Sequence, residues 1–119
     1  MTIQECYRTL GGSFEEVAGR IPSTDLIRRF LAKFPDDTSF SALSDAMRAG
    51  QPEEAFRAAH TLKGVCANMR FTALKNSASE LTELLRLESD SVPAEAIPAM
   101  DRVTADYQTT VGAIRAYIE

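Results

Sequence analysis

The chain has 119 residues, 45% of them hydrophobic, and a formal net charge of -4, which fits one domain with a core that needs neither disulfides nor metal. No block of Lys or Arg tracks a phosphate backbone, so nucleic acid is not an expected partner. No apolar run approaches the roughly 20 residues of a bilayer-crossing helix, and MTIQECYRTL lacks a charged segment followed by an apolar one, so a cytoplasmic protein without a membrane anchor is expected.

Apolar residues recur at helical spacing throughout, and no segment alternates with period two, so the chain reads as all-α. A short helix is predicted from about Thr2 to Leu10, closed by Gly11-Gly12. Cys6 within it and Cys66 much later lack CxxC spacing and read as reduced, buried thiols rather than a disulfide framework or zinc site. Ser13, with Glu16 three residues on, starts a second helix that stops near Pro22. Ser23 or Thr24 caps a longer helix whose Leu26, Ile27, Phe30, Leu31 and Phe34 form one apolar stripe. Pro35 interrupts it, and Phe40, Leu43 and Met47 resume it up to Gly50.

Gln51-Pro52-Glu53-Glu54 starts the next helix, with proline in the first turn and two carboxylates at the positive end of the dipole. That helix runs to about Met69. After Arg70-Phe71-Thr72, Leu74, Ala78, Leu81 and Leu85 line one side of a further helix, which ends before the polar linker Glu88-Ser89-Asp90-Ser91. Val92-Pro93 and Pro98 open the last helix, where Met100, Val103, Tyr107, Val111, Ile114 and Ile118 are spaced by three and four. The sum is an antiparallel four-helix bundle over residues 23–119, with accessory helices in residues 1–22 packed across one end, all within a single domain. Tyr7, Tyr107 and Tyr117 are placed in its core or rim.

The helix begun at Pro52 carries His60, the only histidine of the chain. On a wheel of about 100° per residue, Ala55, Ala58, Leu62, Val65, Cys66 and Met69 fall opposite it, so His60 faces solvent. Phe56, Arg57, Lys63, Gly64 and Ala67 share its side. A glycine within a helix costs about 0.5–1 kcal/mol relative to alanine, and no kink or ending is signalled at Gly64, so something must approach that backbone closely. An exposed imidazole beside Lys63 suits a phosphoryl group: a neutral ring nitrogen is the nucleophile, and the adjacent charge holds the phosphoryl oxygens.

His60-Thr61-Leu62-Lys63-Gly64, followed by Ala67-Asn68-Met69, resembles the signature of the histidine-containing phosphotransfer (HPt) domains of bacterial phosphorelays. Outside the motif the resemblance is a pattern of apolar positions from about Leu26 to Ile118. It implies that His60 is phosphorylated on a ring nitrogen, that Lys63 contacts the phosphoryl group, and that Gly64 leaves room for it and for the partner. The implied partners are a response-regulator receiver domain and/or a hybrid sensor histidine kinase. Many members have glycine where this chain has Arg70, which makes the following turn an expected point of difference. Some members bring a polar side chain from the next helix to the histidine ring, and Thr82 is the candidate by spacing.

Phe56, Arg57 and Ala67 are the candidate partner contacts, although Phe56 equally suits packing against a neighbouring helix. Arg28, Arg29 and Arg57 steer an acidic surface or form a solvated face, and Asn68 caps or braces the helix end. No glycine-rich nucleotide loop of the GxxxxGK[ST] kind is present, so the expected function is phosphoryl transfer without ATP-dependent kinase activity. No cofactor of its own is expected, Mg²⁺ being expected on the receiver, and a monomer is anticipated. The alternative is an interaction module on the same scaffold that is never phosphorylated. A metal or haem centre would need several inward ligands, whereas the sole histidine faces out. The length suits an intermediate of a multi-step relay and equally a domain taken from a longer protein.

Overall fold

Side-chain caps set the first three helix starts in the computed structural model, which describes residues 1–86 and 90–119. Thr2 and Glu5 form a reciprocal capping box that opens α1 (Ile3–Leu10). Ser13 accepts from the Glu16 amide to open α2 (Phe14–Arg20), and Ser23 accepts from the Leu26 amide to open α3 (Thr24–Lys33). Each bond satisfies an amide that the first helical turn leaves without a partner. Pro35 then sits in a single 3-10 turn, Phe34–Asp36, followed by α4 (Ser39–Arg48), α5 (Pro52–Met69), α6 (Thr72–Leu85) and α7 (Ala96–Ile118). Among the described residues there is no strand. Glu88 and Ser89 of the expected linker lie outside the described residues.

α5 packs between α4 and α6, and α7 packs against α6, the arrangement of an antiparallel four-helix bundle. The Leu74, Ala78, Leu81 and Leu85 stripe of α6 is buried as its spacing predicts. Phe40 of α4 and Tyr107 of α7 close the bundle, their rings stacked 3.9 Å apart and nearly parallel. Arg102 of α7 also hydrogen-bonds Glu80 of α6. Burial pushes the Cys6 thiol up to about 11 and the Cys66 thiol up to about 12, the latter also facing the Asp37 carboxylate. Neither sulfur is an accessible nucleophile at neutral pH.

The N-terminal helices are stapled to one end of the bundle by aromatic edges. Tyr7 contacts both Phe14 and Phe71, and Phe34 contacts both Phe71 and Tyr107, at centroid distances of 5.0–5.9 Å. The Tyr7 hydroxyl donates to the Met69 carbonyl at 2.9 Å, and burial raises its pKa. α1 itself buries Ile3, Cys6, Tyr7 and Leu10.

Two helix-ending turns lock together at that end. Gly11 adopts a left-handed conformation (φ 76°), its carbonyl accepts from Ala73, and the Ser13 amide donates to the Arg70 carbonyl. A Cβ on Gly12 would lie 2.4 Å from that carbonyl oxygen and 2.8 Å from Leu10 Cδ1. Gly12→Ala is therefore expected to destabilise the protein by about 1–3 kcal/mol, the usual cost of overpacking, which urea unfolding will measure.

Two expectations about the third element need correction. The sequence from Thr24 to Gly50 forms two helices with different neighbours rather than one interrupted stripe: α3 packs toward α2 and α7, and α4 packs on α5. Ile27, Leu31 and Phe34 are buried, but Leu26 and Phe30 remain 39% and 40% exposed. α3 lies over the end of the bundle and is covered along a single row of its surface, narrower than the apolar arc of its sequence.

Candidate functional site

α5 begins at an extended Gln51, with Pro52 in its first turn beside Glu53 and Glu54. Pro52 lacks an amide hydrogen that would otherwise be unsatisfied there, and the carboxylates favour the positive end of the helix dipole. At the other end Arg70 takes the left-handed conformation itself, with φ 59°. Its amide donates to Ala67 and that of Phe71 to Cys66, a closure that glycine usually makes. The Arg70 guanidinium also donates to the Ala67 carbonyl and faces Glu16 at 3.8 Å. The expected difference in this turn is therefore one of side chain, not of backbone. Asn68 is exposed, and the helix end is closed by Arg70 and the backbone instead.

His60 is exposed, as the wheel predicts. The buried residues of α5 are Ala55, Ala59, Leu62, Cys66 and Met69, whereas Ala58 and Val65, expected in the core, are half-buried. The buried arc is centred about 140° from His60 rather than directly opposite. It is rotated toward α6, and this puts Phe56, Lys63 and Ala67 on a half-buried flank and Arg57, Thr61 and Gly64 on the exposed one.

The neighbours of His60 have distinct environments. Arg57 is held by Glu53 at 2.6 Å, while Lys63 has no ion pair among the described residues. A Cβ at Gly64 would meet nothing within 4 Å, so the space above it is open solvent and not a contact within the fold. Phe56 lies beside the imidazole, with centroids 6.1 Å apart and planes 13° apart. Ala67 lines a shallow recess with Arg70 and Lys75. Farther along α5, Val65 and Asn68 border a groove of about 460 Å³ whose other wall includes Phe30 and Lys33.

Thr82 does not reach the ring. It is fully buried, and its hydroxyl donates to the Ala78 carbonyl of its own helix at 2.7 Å. At the C-terminal end of α6, Arg86 comes to this face, its guanidinium carbon 5.3 Å from the Phe56 ring centroid. The sequence carries a signal for that contact: Phe56 and Arg86 are equidistant from Phe71, as residues facing each other across an antiparallel helix pair must be. Among the described residues no three of His, Cys, Asp or Glu cluster closely enough to hold a metal ion.

The arrangement offers an exposed imidazole, an ammonium on its flank with no ion pair among the described residues and an unobstructed backbone one turn on. That combination suits transfer of a compact anionic group to and from nitrogen. Comparison with known families gives a match to the Hpt domain over residues 25–116. No curated protein and no solved structure matches the chain.

Proposed function

This chain belongs to the Hpt-domain family, whose members carry phosphoryl groups on histidine in two-component signalling, and from that membership we propose that it is a phosphocarrier acting through His60. The observation that carries the reading is the exposed sole imidazole beside Lys63, which makes no ion pair among the described residues, and open space at Gly64. In the forward step a neutral ring nitrogen of His60 attacks the phosphorus of a receiver's aspartyl phosphate. A P–N bond forms, the P–O bond to the aspartyl oxygen breaks, and the bonding pair leaves with the carboxylate. The reverse step returns the group to an aspartate.

Lys63 neutralises the phosphoryl oxygens while charge moves between donor and acceptor. Arg57, tied to Glu53 on the exposed flank, and Ala67 lie where a docked partner meets the helix. The partners are a receiver domain and/or a hybrid kinase carrying one. Mg²⁺ belongs to the receiver, because Lys63 and Arg57 beside His60 repel a cation, and the chain brings no cofactor of its own. No described helix is long and apolar enough to cross a membrane, and we place the relay step in the cytoplasm with the chain acting as a monomer.

The test supplies labelled phosphoryl from ATP alone or from a phosphorylated receiver with Mg²⁺. Label should enter only from the receiver; label from ATP alone would make the chain a kinase and overturn the reading. Lys63→Ala should slow transfer about tenfold to a hundredfold without abolishing it, since one charge-assisted contact is worth about 1.5–3 kcal/mol. Rapid-quench rates will show this, and an unchanged rate would return Lys63 to the solvated surface.

A further inference from the structure

Side chains on a helix lean toward its N-terminus, so the His60 imidazole leans over the turn that carries Phe56. The two rings are nearly parallel at 6.1 Å, within the range of offset-stacked pairs. Phe56 is half-buried, which places it neither in the core nor out as a free apolar knob. From α6 the Arg86 guanidinium covers the Phe56 ring and is itself held by Glu83 at 3.1 Å. Glu83, Arg86, Phe56 and His60 thus form a row that runs from one helix to the other. Among the described residues no side chain hydrogen-bonds the His60 ring, and Thr82 is committed to Ala78.

We propose that Phe56, held from α6 by Arg86, is a positioning residue that fixes the plane of the His60 ring and closes its N-terminal side, leaving the Gly64 side for the incoming phosphoryl group. The inference rests on the phosphocarrier reading of His60. In-line displacement at phosphorus needs the attacking lone pair, which lies in the imidazole plane, to point along the bond that breaks. A ring free to turn about its side-chain torsions meets that condition only part of the time. A flat aromatic neighbour favours one plane, whereas an aliphatic side chain of similar bulk fills the space without preferring any. Gly64 is the complement of this wall, because any side chain there would lean back over the imidazole from the other side.

The test compares Phe56→Leu, Phe56→Tyr and Arg86→Gln in the full chain, using two donors: phosphoramidate, which needs no docking surface, and a phosphorylated receiver. Phe56→Leu is expected to slow labelling by both donors about tenfold through misalignment alone, with the KM for the receiver unchanged. Phe56→Tyr should restore the parent rate, and Arg86→Gln should show a smaller loss of the same kind. In the unphosphorylated protein, NMR should show the His60 ring protons moving downfield in Phe56→Leu as the ring current is lost, with broader sampling of the ring torsions. A raised KM with normal phosphoramidate labelling would make Phe56 a docking contact and overturn the proposal, as would unchanged rates with both donors. If the parent chain accepts no phosphoryl group from either donor, the phosphocarrier reading itself fails. The NMR arm still decides the positioning role, because a His60 ring unmoved by Phe56→Leu contradicts it.

Discussion

His60→Gln is expected to leave the bundle folded and to abolish phosphoryl acceptance. The side chain is exposed, makes no hydrogen bond among the described residues, and lies beside the Phe56 ring. Glutamine is a good helix former and close in size, so unfolding should shift by no more than about 0.5 kcal/mol, the range of ordinary surface substitutions. Function has no such reserve. The two thiols are buried, with pKa values pushed up to about 11 and about 12, and no second imidazole exists in the chain. The amide of glutamine is not a nucleophile toward phosphorus. Circular dichroism with labelling from a phosphorylated receiver checks both halves, and full labelling of the variant would remove His60 from the chemistry.

Gly64→Gln separates fold from function in a single variant. A Cβ at this position meets nothing within 4 Å, so the fold has no steric use for glycine there. Replacing it with a residue that favours helix should raise stability by about 0.5–1 kcal/mol. The added side chain lies one turn beyond His60 and leans back toward it, into the space that the proposed phosphoryl group and docked receiver would share. Transfer should therefore fall by two or more orders of magnitude, on the order of the loss expected when reacting atoms are held apart. Thermal unfolding and the rate of phosphoryl exchange give the two readings. A more stable variant that exchanges at the parent rate would show that access to His60 does not depend on Gly64.

The parts of this molecule that were legible in the sequence are those decided within one or two helical turns. Ser13, Ser23 and Pro52 mark helix starts because each solves a problem of the first turn, amides without partners, using residues no more than three positions away. The outward direction of His60 follows in the same way from the 3.6-residue period of its own helix. What the sequence leaves unread depends on neighbours distant in the chain. Leu26 and Phe30 are as apolar as Ile27 and Leu31, yet α3 is covered along one row only, and coverage is a property of the assembled bundle.

Phe71 shows the same limit from the other direction. Its position in a short connection gives no hint that it is fully buried and joins Tyr7 to Phe34. Arg70 looks like a missing turn residue because glycine is the usual occupant of a left-handed position. The turn forms nevertheless, with the Arg70 carbonyl held by Ser13 and its guanidinium by the Ala67 carbonyl. At the site, spacing does bring Thr82 opposite His60, but spacing does not say which way a hydroxyl turns. It turns to Ala78, and Arg86, one turn farther on, reaches the face through Phe56.

Whether the His60 imidazole carries a phosphoryl group is tested by the position and chemistry of the modification after incubation with a phosphorylated receiver domain. A single phosphoryl group per chain is expected, lost in acid and stable in alkali, mapped to the peptide containing His60, with a ³¹P resonance typical of a phosphorus–nitrogen bond. It should return to the unphosphorylated receiver when the two are mixed again. A modification stable in acid and mapped to a serine or threonine, or no modification under conditions in which the receiver is demonstrably phosphorylated and His60 is intact, would contradict the phosphocarrier reading.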